Sequence, residues 1–367
     1  MKRVVLLNAY SRGNHGDGLL VDLALDLIRE SVGSDAVIQV AALDPASFTG
    51  GSNVDFVNPF RLKGNMGRVV SGGAGVLGIQ PAWNVALLDA VRQADLLVSV
   101  GGAYLRGGRP SELIKTTFSH VSQLRLASKS GVPWVCLPQS VGPYSPNLRR
   151  VMAKSLAAAE ALFLRDDSSY AEFGSLGNAR RVPDSAVLAL AQSPLSPVHQ
   201  YSHGNSIGLV IRDLPDGQNY ERSLRQLIES RDDWEPLLQS VHAGNDDRPF
   251  YARVAHGVPA VSLQAALRER RVQLVVSTRL HGSLESLLAG VPTVHLSYER
   301  KGFSAFADLG LSDFVFDARN FQSANVTAAI AIILADPARY WASVASKMEE
   351  IADSRKWVVD ALAGASR

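Results

Sequence analysis

The chain has 367 residues, 46% hydrophobic and 20% charged, with 37 Lys and Arg against 35 Asp and Glu. That length is about two to three times a usual domain, so two domains are expected, and the balanced charge argues against nucleic acid or a strongly anionic surface as partner. The only cysteine, Cys136, excludes an intrachain disulfide and a cysteine-built metal site.

Cys136 lies in the apolar stretch Trp134-Val135-Cys136-Leu137 and is expected to be a buried small hydrophobe. Arg3 is followed by only four apolar residues before Asn8, too few for a secretory signal. No uninterrupted apolar run reaches the ~18 residues that would suggest a membrane span. A soluble, cytoplasmic protein is expected, with contact at the inner face of the plasma membrane left open.

In chain order, Val4 to Leu7 reads as a buried strand and Leu19 to Ile28 as an amphipathic helix, joined by the Gly-rich turn NAYSRGNHGDG from Asn8 to Gly18. Ala36 to Ala42 is a second strand. Residues 45–81, rich in Gly, Asn and Ser and carrying Arg61, Lys63 and Arg68, read as mostly irregular, with an active-site flap as one role for them. Next come a helix from Ala86 to Ala94, a strand from Asp95 to Val100 ending in Gly101-Gly102, and a helix from about Glu112 to Ser130. The strand Trp134 to Leu137 leads into the loop Pro138 to Pro143. After a helix from Asn147 to Ala159, the strand Ala161 to Leu164 runs into Arg165-Asp166-Asp167-Ser168, where a helix N-cap is expected. This alternation predicts a doubly wound parallel sheet.

A linker is expected over Gln192 to Asn205, which holds two prolines and has no apolar period. The pattern then restarts with a strand from Ser206 to Ile211, the loop Arg212-Asp213, a helix after Tyr220, a strand from Leu237 to His242 and a helix from Leu263 to Arg270. Gln273 to Ser277 reads as a buried strand, Thr278 to His281 as its loop, and Gly282 to Gly290 as a helix stopped by its glycine. Pro292 to Leu296 is a further strand and Tyr298 to Gly302 its loop. The tail from Asn325 to Leu362 reads as helical, broken at Asp336-Pro337. The expected architecture is α/β, two Rossmann-like domains facing a cleft: 1–195, then 196–335, then a helical tail at 336–367 that packs back on the first domain.

If the strands at 273–277 and 292–296 are neighbours, they lie roughly 4.8 Å apart and both loops open on one sheet edge. Arg279, His281 and Lys301 would then converge where open α/β sheets bind ligands. Two fixed cations and an imidazole suit a small, multiply charged anion that must gain or lose a proton. The bland alternative, Arg279 meeting a carboxylate and His281 satisfying a turn, loses weight because three such residues sit at two strand ends. In the first half, Asp17 at an expected helix N-cap repels anions, so the loop suits hydroxyls. Asn14 and Asp17 are therefore candidate contacts to ligand hydroxyls, with turn-forming and capping as equal alternatives. Gly101, Gly102, Gln139 and Ser140 end first-half strands and would face the same cleft, although such glycines are more often turn-formers. His295, inside a strand, reads as packed; His120, His199, His203, His242 and His256 lack metal spacing, and no metal site is expected.

Taken together, Gly13-Asn14-His15-Gly16-Asp17, Gly101-Gly102, Gln139-Ser140-Val141-Gly142-Pro143, Leu164-Arg165-Asp166, Pro183-Asp184, Arg279-Leu280-His281 and Tyr298 with Lys301 resemble the polysaccharide pyruvyl transferase family. The likeness keeps its order over nearly the whole chain. It implies a fold similar to the type B, twin-Rossmann glycosyltransferases. It also implies phosphoenolpyruvate as co-substrate with no other cofactor, a glycan or lipid-linked saccharide as acceptor, and a cyclic pyruvate ketal plus phosphate as products. The resemblance assigns Arg279, His281 and Lys301 to the donor site and adds Arg165 as a further donor contact. His281 is the candidate general acid, Arg279 a bidentate grip and Lys301 a point charge for the leaving phosphate. Two other readings stay open. A nucleotide-sugar glycosyltransferase is disfavoured because Glu285 is followed eight residues later by Thr293, not by a second Glu. A catalytically silent glycan-binding protein is disfavoured by the presence of Arg279, His281 and Lys301.

Overall fold

The computed structural model describes residues 1–61, 83–107, 116–192, 204–215, 217–241, 245–255, 257 and 261–367. They form two units: Met1–Arg12, Asp17–Ser185 and Asp353–Arg367 in the first, Gly13–Gly16 and Ala186–Ala352 in the second.

The first unit holds an eight-stranded sheet: β1 (Arg3–Ala9), β2 (Val37–Ala42), β3 (Val54–Val57), β4 (Leu96–Ser99), β5 (Gly102–Leu105), β6 (Trp134–Val141), β7 (Ala161–Leu164) and β8 (Ala179–Arg181). The strand order is β3-β2-β1-β4-β6-β7-β8, with β5 against β6, and every pairing is parallel. Val4 to Leu7 and Leu96 to Val98 are no more than 2% exposed, because a parallel sheet is covered on both faces. Cys136, also fully buried, has its thiol pushed up to about 12 by burial, and so stays protonated and inert. The last helix, Met348–Ala365, joins this unit through its second half. There Arg355 pairs with Glu30, and the Arg180 guanidinium lies 4.2 Å from the centre of the Trp357 ring.

The second unit carries β9 (Ser206–Val210), β10 (Trp234–Pro236), β11 (Val272–Ser277), β12 (Thr293–Ser297) and β13 (Val315–Asp317) in the order β10-β9-β11-β12-β13, again all parallel. Leu274, Val275 and Val276 are 0% exposed; each such side chain contributes about 1.5–3 kcal/mol by its burial. Val275 packs with Val210, Leu237, Leu263, Ala266 and Val272. The break at Asp336-Pro337 is a helix start, where the Asp336 carboxylate accepts from Arg339 N at 3.1 Å.

Several boundaries depart from the sequence reading. Helix His15–Val32 begins four residues before Leu19, so Asp17 lies in its first turn and is not the N-cap. A strand, Val54–Val57, occupies part of the stretch expected to be irregular; residues 62–82, with Lys63, Arg68 and the remainder of the expected flap, lie outside the described residues. The chain resumes as β5 right after Gly101. The strand expected at Leu237 to His242 is displaced to Trp234–Pro236, with Leu238 and Ser240 in isolated bridges only. His199, His203, His242, His256 and most of the expected linker also lie outside the described residues.

Candidate active site

β11 and β12 are parallel neighbours, with Val275 opposite Thr293 and Ser277 opposite His295. Each runs into a helix, Leu280–Leu288 or Arg300–Asp308, both starting earlier than the sequence reading allowed. His281 and Lys301 therefore stand in first helical turns and not in loops. The two junctions are built alike twenty residues apart: Ser277-Thr278-Arg279-Leu280-His281-Gly282 and Ser297-Tyr298-Glu299-Arg300-Lys301-Gly302. In each, the strand's terminal serine donates to the carbonyl two residues on, Ser277 to Arg279 at 2.8 Å and Ser297 to Glu299 at 2.7 Å. Each glycine lets the first turn sit on that serine. A Cβ at Gly282 would lie 2.9 Å from Ser277 Oγ, and one at Gly302 would overlap Ser297 Oγ and come within 2.5 Å of His295 Nε2. The repeat places His281 and Lys301 at equivalent positions after adjacent strands, at two helix N-termini that favour anions.

His295 reports their proximity. Its Nδ1 lies 2.8 Å from the Ser277 carbonyl, which fixes that nitrogen as the donor, and its ring stacks on Phe306 at 5.2 Å. Burial, and then the charges of Lys301 and His281, push this imidazole down to about 3, so it stays neutral. The packed role expected of His295 agrees with this placement.

Arg279 departs from the expected bidentate grip on a ligand. Only 7% exposed, it gives Nε to Asp247 Oδ2 at 2.8 Å and Nη2 to Asp247 Oδ1, with Nη2 also 3.2 Å from the Asn245 carbonyl and side-chain oxygens. The edge that could hold a carboxylate or phosphate in two parallel bonds is thus taken by a carboxylate of the chain itself. Burial raises the Asp247 carboxyl above the usual carboxylate range, and the charges of Arg279 and Arg212 offset only part of that rise. Lys301 Nζ lies 2.8 Å from Glu299 Oε2. Sequence reasoning missed Asp247, whose signal is faint: an acidic residue just before Pro249 in helix Arg248–Val254, far from the motif.

The loop residues Gly13–Gly16 belong with this unit. His15 N donates to Gln239 O at 3.4 Å, Val241 N to Gly13 O at 3.3 Å, and Asn14 bridges Ser240. Gly16 stands against the catalytic candidate, since a Cβ there would lie 2.8 Å from His281 Nδ1.

The remaining predicted residues are in the first unit. Asp17 is in the first turn of helix His15–Val32, where its charge suits the helix dipole. Arg165 is 2% exposed, donating Nε to Ser140 Oγ at 2.9 Å and Nη1 to Asp184. Gln139 is 0% exposed, and Asp166 caps the next helix by accepting from Ser169 N at 2.9 Å. Gly101 and Gly102 each have a packing reason: a Cβ at Gly101 would meet Pro138 O at 2.6 Å, and Gly102 has φ +150°. Gly101 follows β4, Arg165 and Asp166 follow β7, and Asp184 follows β8, so these four lie at the carboxyl edge of that sheet. His120 is a satisfied core residue, with Nδ1 3.3 Å from Asn8 Oδ1. Among the described residues no group of His, Cys, Asp and Glu is arranged to hold a metal ion, and no helix is long and apolar enough to cross a membrane.

Residues 14–300 match the polysaccharide pyruvyl transferase family. The chain belongs to that family. Among its relatives is the amylovoran biosynthesis protein AmsJ of Erwinia amylovora, 22% identical over 291 residues, 68% of each chain. In fold, the chain is similar to a UDP-GlcNAc 2-epimerase from Neisseria meningitidis, solved with UDP-GlcNAc bound. That structure has a TM-score of 0.57 and 13% identity, covering 98% of this chain and 99% of that one. A putative UDP-N-acetylglucosamine 2-epimerase from Listeria monocytogenes aligns with a TM-score of 0.53 and 12% identity over 97% and 94% of the two chains. At such identities the likeness is one of fold alone, and it agrees with the twin-Rossmann architecture expected from the sequence.

Proposed function

We propose that this pyruvyl transferase moves pyruvate from phosphoenolpyruvate onto two hydroxyls of a glycan sugar, forming a cyclic ketal and releasing phosphate. The observation that carries the reading is the paired junction, which sets His281 and Lys301 at two adjacent helix N-termini on one sheet edge. The family, described as polysaccharide pyruvyl transferase, and the AmsJ relative, named for amylovoran biosynthesis, support a polysaccharide acceptor.

In this scheme protonated His281 delivers a proton to C3 of the donor, leaving C2 as an oxocarbenium-like centre. A sugar hydroxyl attacks C2. A second hydroxyl displaces phosphate and closes the ring, while Lys301 offsets the charge building on the departing oxygen. Of the two hydroxyl protons, one returns to His281 and the other leaves on phosphate. Atoms and electrons balance with no oxidant, reductant or further cofactor. Asn14, strapped to Ser240 beside these residues, is the proposed acceptor contact within the second unit.

The test is incubation of the enzyme with phosphoenolpyruvate and a panel of glycosides and lipid-linked saccharides. Phosphate should appear together with a product heavier by one pyruvate less one water. Nucleotide diphosphate release from a sugar nucleotide, with phosphoenolpyruvate untouched, would replace this reading by glycosyl transfer.

A further inference from the structure

The donor site just proposed has a charge deficit. Arg279 is matched by Asp247 and Lys301 by Glu299, so these four side chains sum to no net charge. Arg279 has committed its Nε and Nη2 to Asp247, which leaves only the N–H groups of Nη1. A donor carrying both a phosphate and a carboxylate calls for a cation with an open edge.

Arg212 meets that need. It follows β9, the strand on the other side of β11 from β12, so it shares the carboxyl edge with His281 and Lys301. Its side-chain partners are neutral: Nε donates to the Asp213 carbonyl at 3.2 Å and Nη1 to the Tyr298 hydroxyl at 2.9 Å. The guanidinium carbon lies 5.3 Å from the centre of the Tyr298 ring, close enough for a cation–π contact. Among the described residues Arg212 joins no ion pair, and three of its five N–H groups carry no bond. Because β9 and β12 flank β11, the Arg212–Tyr298 bond spans the end of β11, beside the turn that leads to His281. The positive charge of Arg212 also lowers the Asp247 carboxyl and the Tyr220 hydroxyl.

We infer that Arg212 is a donor-binding residue whose open N–H edge holds an anionic end of phosphoenolpyruvate, and that Tyr298 is the positioning residue that aims it. The inference rests on phosphoenolpyruvate being the donor, and the test keeps the two claims apart. Phosphoenolpyruvate is titrated calorimetrically into wild type, Arg212→Met, Arg212→Lys and Tyr298→Phe, and its turnover is followed in parallel. Arg212→Met should weaken binding by about 10- to 100-fold, the range of a charge-assisted hydrogen-bonded contact. KM should rise more than kcat falls. Arg212→Lys should fall between, and Tyr298→Phe should raise KM by a smaller factor.

If wild type turns over phosphoenolpyruvate while folded Arg212→Met binds it as well as wild type does, the inference alone is overturned. If wild type neither binds nor consumes it, the donor reading falls and takes the inference with it. Should Arg212→Met lose its cooperative unfolding transition, Tyr298→Phe carries the test, and wild-type affinity in that variant would overturn the inference.

Discussion

Replacing His281 by Gln is expected to lower kcat by about 10²- to 10⁴-fold, the usual worth of a positioned general acid, with little change in phosphoenolpyruvate affinity. Gln keeps a polar side chain at the second position of helix Leu280–Leu288 but has no proton to give to carbon. The split follows from the proposed scheme, in which cations and helix N-termini hold the anion and the imidazole acts on C3. Phosphate release under saturating donor, set beside calorimetric affinity, separates the two effects. A His281→Gln variant with near-normal turnover would remove the acid from the scheme. If affinity and turnover fell together, His281 would be a binding group.

Asp247→Ala should cost about 3–5 kcal/mol of unfolding free energy, because it strands a buried charge. The side chains of Arg279 and Asp247 are 8% and 2% exposed, and Ser240 N also donates to Asp247 at 3.1 Å. Adding Arg279→Met to Asp247→Ala should recover much of the loss, since the stranded guanidinium is then gone. Urea unfolding of the two variants measures both effects. A loss below about 1 kcal/mol in Asp247→Ala is what a solvent-screened pair would give, and it would contradict the buried arrangement.

The central strands of both sheets were legible because parallel strands buried on two faces are written as short apolar runs: Val4 to Leu7, Leu162 to Leu164, Leu274 to Val276. The neighbouring placement of β11 and β12 followed from one connecting helix. Helix starts were less legible. His15-Gly16-Asp17-Gly18 and Leu280-His281-Gly282 hold glycines that weigh against helix, yet tertiary contacts require those glycines inside the first turns, where Gly16 lies against His281 and Gly282 against Ser277. The short strands Ala179–Arg181 and Val315–Asp317 give too little pattern to be read alone.

For the site, residue types at strand ends pointed to His281 and Lys301 as candidates, but their partners could not be seen. Asp247 reaches Arg279 from 32 residues away and Tyr298 reaches Arg212 from 86 away, separations at which a single sequence offers no signal. The serine–glycine frame shared by residues 277–282 and 297–302 was present in the sequence and is the feature a closer reading would have used.

The central claim, that the donor sits at the carboxyl edge of β11 and β12, is tested most directly by a crystal structure with phosphoenolpyruvate bound. Density for the donor should lie within hydrogen-bond reach of Lys301 Nζ and His281. Donor density at the edge of the first sheet, beside Gln139 and Arg165 and away from both residues, would contradict it.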